Sequence, residues 1–331
     1  MSVVGGAFPL PQAPSVRQYL ADRHLSLPGH LAYYCCFVLL DKRAAMKVGL
    51  INTTAILAEQ LGSSLAATYR HYFGEREAYN ATILDAGARL VIERISTSDA
   101  LYHNMEHTVM VTLVGQDILR GKLLRKPVQP DEWLHFILSL VCHDVGYVRG
   151  VCSADSRTAV VIDETGSMME LPRGASDATL TPYHVTRGKL FVLERFADSE
   201  FVNAERIARN IELTRFPVPD DGDHYETDSE AGLVRAADLI GQLSDPRYLQ
   251  KLNALYYEFL ETGVAEKMNL KTPADLVDVY PQFYWNTVEP YIGDALEYLK
   301  LTSEGRQWIA NLYSHVFSVE KLKRDVGPHS V

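Results

Sequence analysis

Residues able to hold a metal ion recur at three separated places in the chain. They are Tyr102-His103-Asn104-x-x-His107, the adjacent pair His143-Asp144, and Asp238 inside Ala236-Ala237-Asp238-Leu239. Imidazole nitrogens and carboxylate oxygens together suit Mn, Fe, Zn or Mg better than a soft thiolate-type ion does. Two His and two carboxylates around one divalent ion make a hydrolytic centre, and the three segments suggest a metal-dependent phosphohydrolase.

The elements that must carry these residues all read as helices. His103 and His107 are four apart, which puts them on one face of a helical segment. From Asp131 to Cys142 the apolar residues Trp133, Phe136, Ile137, Leu140 and Val141 form a stripe on a largely buried helix. That helix delivers His143 and Asp144 at its end, before Gly146. After Asp228-Ser229, a cap candidate, Leu233, Val234, Ala237, Ile240 and Leu243 form a third stripe. Asp238 lies beside this stripe and so points inward or to a cleft wall. A buried carboxylate without a partner costs several kcal/mol, so inward Asp144 and Asp238 call for a compensating cation.

The order of these motifs resembles the HD-domain superfamily and, within it, the catalytic domains of class I 3′,5′-cyclic-nucleotide phosphodiesterases. The likeness runs from about Tyr102 to about Leu299. It implies an all-α, HD-domain/PDEase-like bundle and a first metal held by His107, His143, Asp144 and Asp238. Asp144 would bridge to a second divalent ion, giving two per chain, and His103 would be the general acid that protonates the leaving oxygen. Tyr183 to Leu190 resembles the helix over the second metal, with His184 foremost. Ile211-Glu212-Leu213-Thr214 resembles the helix whose Thr orients a metal-bound water. Phe283 to Pro290 resembles the helix of the nucleotide-base clamp, with Phe283 at the clamp. Tyr102, Asn104, Phe283 and Gln282 are the substrate-binding candidates.

The chain departs from that pattern at four places. Tyr147 stands where a second His follows the HD pair, Met110 where an Asp follows His107, and Thr181 where an acid precedes the His-rich helix. Tyr280 stands at the base-reading Gln, and Gln282 lies about 200° around a helix from it. The chemistry implied is hydrolysis of a phosphate ester by metal-bound hydroxide, because a metal-bound water has a pKa near roughly 7 on zinc. A 3′,5′-cyclic nucleotide is the first substrate to consider. The alternatives are a phosphomonoesterase or triphosphohydrolase, using basic residues among Arg149, Arg157, Arg173, Arg187 and Arg215, and a sensor that binds metal and ligand without turnover.

Composition narrows the setting. With 331 residues and 47% hydrophobic content the chain can bury a large core, and a net charge of −10 argues against nucleic-acid partners. The partner expected is a small phosphate ester. Cys35, Cys36, Cys142 and Cys152 lack disulfide spacing and read as free thiols in a reducing, cytoplasmic setting. Leu31–Leu40 is apolar but too short to span a membrane and reads as a buried helix. The domain reading is a flexible arm over 1–15, a catalytic domain over 16–318 and a tail over 319–331. Residues 16–100 are either the domain's first helices or a regulatory module, in which Ile56, Leu57, Leu61 and Leu65 could serve a homodimer. Ala159–Ile162 and Met168–Leu171 read as a short hairpin, either a lid or a surface loop. His224, after the acidic loop Pro217–Asp223, reads as solvent-exposed.

Overall fold

The computed structural model describes residues 51–325, with side chains as far as 321. The expected arm over 1–15, the apolar stretch Leu31–Leu40 and Cys35-Cys36 lie outside the described residues. A compact unit begins at Asn52. It is all-α apart from one two-stranded hairpin.

Helix α1 (Thr53–Phe73) starts where the Asn52 side chain accepts from the Ala55 amide at 3.0 Å, and it packs along α2 (Tyr79–Ile95). Leu61 and Leu65 are buried within the chain, whereas Leu57 is partly buried and Ile56 is 58% exposed. Helix α3 (Met105–Leu123) is followed by α4 (Pro130–Cys142), which opens on Pro130 at its first turn. Trp133, Phe136, Ile137, Leu140 and Val141 are all buried. At about 1.5–3 kcal/mol for each such side chain taken from water, α4 is the element on which its neighbours assemble. It touches α2, α3, α6 (Ala204–Glu212) and α7 (Glu230–Leu243).

The segment after α4 makes a 3-10 turn, Val145–Tyr147, and then the hairpin β1 (Ala159–Val161) and β2 (Met168–Glu170). The strands run antiparallel, with Val160 opposite Met169. Val160 is fully buried against Tyr147 and Leu180, so one face of the hairpin is bolted to the molecule. Helix α5 (His184–Arg195) lies along the 3-10 turn and α6. A Cβ on Gly146 would collide with the His184 carbonyl, so only glycine allows the turn and the start of α5 to meet. Helix α7 is capped by Ser229, whose hydroxyl accepts from Gly232 N at 3.0 Å. It crosses α3 closely: a Cβ on Gly241 would lie 2.7 Å from Val111 Cα.

Helices α8 (Tyr248–Glu261), α9 (Val264–Lys267) and α10 (Pro273–Phe283) come next. A π-helical turn over Tyr284–Val288 then leads into α11 (Glu289–Leu299) and α12 (Ser303–Asp325). Helix α12 runs on past 319, with Leu312, Val316 and Val319 as a buried stripe at three- and four-residue spacing. One expectation is corrected here. His224 is buried, because buried Arg235 of α7 donates to the carbonyls of His224 and Glu226 and draws the acidic loop inward. Cys142 and Cys152 are free and buried, as their spacing implies. Among the described residues, no helix is long and apolar enough to cross a membrane.

Candidate metal centre

Three helices deliver one ligand cluster. The Asn104 side chain accepts from the amides of Glu106 at 2.9 Å and His107 at 3.4 Å, which fixes the start of α3 and sets His107 in its first turn. His103 therefore precedes the helix, and the expected shared helical face of His103 and His107 is corrected. The two rings still meet, with centroids 5.6 Å apart. His143 caps α4 and Asp144 opens the following 3-10 turn, while Asp238 projects from the middle of α7.

The side chains converge as the spacing implies. The Nε2 atoms of His107 and His143 are 3.4 Å apart. Asp144 Oδ2 lies 3.3 Å and 3.2 Å from them, and Asp238 Oδ1 3.4 Å and 3.5 Å. Donor atoms about 2.0–2.1 Å from a central ion in a regular tetrahedron stand roughly 3.3–3.4 Å from one another, so the separations among His107, His143 and Asp144 suit one divalent ion, with Asp238 beside the two histidines. His107, His143 and Asp144 are all buried.

Hydrogen bonding prepares the same atoms. His143 Nδ1 donates to the Leu140 carbonyl at 2.7 Å, which turns Nε2 towards the cluster. Asp144 Oδ2 is buried without a hydrogen-bond partner. Burial alone would push the His143 pKa down, yet Asp144 and Asp238 hold it well above the usual histidine range. Burial alone would raise both carboxyls, and the charge of His143 instead holds Asp144 and Asp238 well below the carboxylate range. The buried carboxylates call for positive charge, which a protonated His143 supplies in the metal-free cluster and which a divalent cation could supply in its place.

Beside the cluster stands a second arrangement. His103 Nδ1 meets Glu258 Oε2 at 2.6 Å, and Glu258 Oε1 accepts from the amides of Tyr102 at 2.6 Å and His103 at 3.3 Å. Burial works against a charged His103, but the Glu258 carboxylate outweighs it and the pKa rises to about 9. Glu258 is itself kept below the usual range because His103 overcomes its burial. Sequence reasoning missed this residue. The available signal was an acid on the buried stripe of α8, where Tyr248, Leu252 and Leu255 predict an apolar residue at 258.

His184 begins α5. Its Nδ1 donates to the Thr181 carbonyl at 2.6 Å, and its Nε2 stands 3.8 Å from Asp144 Oδ1. Burial lowers its pKa, so it is neutral and offers a lone pair towards the cluster. Tyr147 packs its ring on both His103 (centroids 4.6 Å apart, 14° between planes) and His184 (4.5 Å, 18°). Tyr102 is buried with its ring 5.5 Å from that of His107.

The remaining candidates do different things. Both ends of the Asn104 amide are committed to the backbone, since its Nδ2 donates to Leu101 O at 2.9 Å. The Thr214 hydroxyl donates to Ile211 O at 2.8 Å. Gln282 is exposed, and Phe283 packs edge-on against Phe216 at 5.8 Å. No described contact joins Phe283, Gln282 or Thr214 to the His–Asp cluster.

A family model described as Npun_R2479-like matches residues 51–322, and the chain belongs to that family. No curated protein and no solved structure matches the chain.

Proposed function

We propose that this member of the Npun_R2479-like family is a metal-dependent phosphodiesterase of the HD type, with His107, His143, Asp144 and Asp238 as ligands and His103 as general acid. The observation that carries the reading is the pairing of two unlike arrangements. A cluster that could hold a cation lies beside a histidine whose Nδ1 is bound to the buried Glu258 carboxylate, which pushes its pKa up to about 9. A divalent ion in the cluster would supply Lewis-acid charge for the phosphoryl oxygens and make water a usable nucleophile near neutral pH.

The chain's own residues supply the rest. Glu258 fixes His103 through Nδ1, so the proton to be given away sits on Nε2, on the other side of the ring. Proton delivery to a departing alkoxide needs an acid that is still charged at working pH, and His103 meets that need. His184 and Asp144 Oδ1 flank the cluster on a second side, which is where a second ion would be held.

A diester is favoured over a terminal phosphate by what the candidate arginines do. Arg187 is fully buried on Asp155, Arg215 is paired with Glu212 and Arg149 with Asp177. Arg157 and Arg173 are exposed on the loops around the hairpin. A triphosphate site needs guanidinium groups free to clamp its oxygens. A 3′,5′-cyclic nucleotide remains the first substrate to test, although buried Tyr280 offers no amide to read a base.

The deciding experiment is hydrolysis by purified, metal-analysed protein. The substrates are cyclic AMP, cyclic GMP, bis(p-nitrophenyl) phosphate and nucleotide mono- and triphosphates, each with Mn, Mg, Zn or Fe. Turnover of the diesters is expected. Turnover confined to mono- or triphosphates, or metal binding with no turnover, would overturn the reading.

A further inference from the structure

The hairpin and the proton donor are joined through one side chain. Tyr147 is 1% exposed and lies in the 3-10 turn directly after His143-Asp144. Tyr147 belongs to the small apolar cluster with Val160 of β1 and Leu180, against which Ile162, Met169 and Leu171 pack. Its ring stacks nearly parallel on His103 and on His184, whose centroids are 6.4 Å apart.

The backing of that ring is built in depth. Arg187, fully buried on α5, donates through Nε to Gly146 O at 2.8 Å and through its terminal nitrogens to Val161 O at 2.6 Å and Val148 O at 2.8 Å. Asp155 neutralises it with both carboxylate oxygens, at 3.0 Å and 2.9 Å. A single guanidinium therefore ties the turn carrying Tyr147 to strand β1. A buried ion pair with every donor satisfied gives a defined geometry, since removing either partner would strand a charge in the core.

We propose that Tyr147 is a positioning residue for His103, and that the hairpin Ala159–Glu170 exists to hold its ring in place. Glu258 fixes His103 at one nitrogen only, which leaves the ring free to swing about that contact. A flat aromatic surface stacked on the imidazole removes that freedom and directs Nε2 to one place. An aliphatic side chain of similar bulk could fill the space without enforcing the plane. This inference rests on the general-acid role proposed for His103.

The test compares two diesters on Mn-loaded protein. p-Nitrophenolate leaves without needing a proton, whereas phenolate from diphenyl phosphate leaves far better with one. Tyr147→Leu is expected to lower kcat on diphenyl phosphate relative to bis(p-nitrophenyl) phosphate by about tenfold or more, part of the roughly 10²–10⁴-fold that a general acid supplies. Tyr147→Phe, which keeps the ring, is expected to hold that ratio within about twofold, and Val160→Ala to move it in the direction of Leu. Metal content should be unchanged in all three. An equal fall on both substrates, or no change on either, would overturn the proposal.

A readout independent of turnover separates this inference from the enzymatic reading. In NMR spectra of the full chain, the His103 ring protons should lose their ring-current shift in Tyr147→Leu and the Nδ1 proton held by Glu258 should exchange faster. If no diester is hydrolysed and these changes still occur, the positioning stands and the phosphodiesterase reading falls. If the Nδ1 proton is equally protected in the Leu variant, the positioning role falls whatever the activity.

Discussion

The metal cluster and the α10–α11 segment were both expected to meet the substrate, and they are built in opposite ways. In the cluster, side chains from α3, α7 and the end of α4 bring carboxylate oxygens to within 3.2–3.5 Å of the two imidazole Nε2 atoms, with Asp144 Oδ2 left without a hydrogen-bond partner. Around the π-helical turn no such convergence of charged side chains is found among the described residues. Tyr280 and Tyr284 are buried in the core, Gln282 is exposed, and Phe283 leans on Phe216. The difference teaches that helical spacing predicts a site well when burial punishes any other arrangement. Charged groups brought into or beside a core must find a counter-charge, whereas the ring of an aromatic side chain can pack at many places in it.

The strongest way to break this contrast is to remove a ligand. Asp238→Ala should lose metal and turnover together, by more than about 100-fold, because even the loss of groups that merely orient ligands costs about 10–100-fold. Metal analysis beside the diester assay checks it. His103→Ala should keep its metal and lose turnover by about 10²–10⁴-fold. Full activity in that variant would take His103 out of the acid role.

The next test sharpens the charge argument. His103 has its pKa raised from 6.5 to about 9. Its ion pair with Glu258 therefore stabilises the fold fully below about pH 6.5 and loses that contribution as pH rises through about 9. Glu258→Gln should bring the alkaline limb of the kcat profile down from about 9 towards 6.5, with thermal stability less dependent on pH across the same window. An unmoved alkaline limb would mean that another group titrates there.

At the other region the effects should be small. Phe283→Ala is expected to change KM by a few fold at most with kcat unaltered. Tyr280→Phe should be neutral or slightly stabilising, since it removes a buried hydroxyl without a hydrogen-bond partner, a group that costs about 1–3 kcal/mol. Chemical denaturation checks the second. A loss of substrate binding in Tyr280→Phe would show that its hydroxyl meets the ligand.

The sequence disclosed the fold and the cluster through different signals. Stripes such as Trp133-Phe136-Ile137-Leu140-Val141 announced α4, and α4 then had to carry His143-Asp144 to its buried end. Asn104 misled, because an Asn before a helical run can cap it as well as lie on it, and capping moved His103 off the helix. Glu258 was only partly legible: its place on the buried stripe of α8 marked it as an inward acid, but its partner is 155 residues away. The departure at Tyr147 was visible as a residue type, but its stacking on two histidines depends on the hairpin and on Arg187, which only the folded chain brings together.

Anomalous diffraction from crystals of Mn- or Zn-loaded protein tests the central claim most directly. The account predicts a peak about 2.0–2.3 Å from His107 Nε2, His143 Nε2 and the carboxylates of Asp144 and Asp238. A loaded protein whose ion sits elsewhere, with those four side chains hydrogen-bonded only to one another, would contradict it.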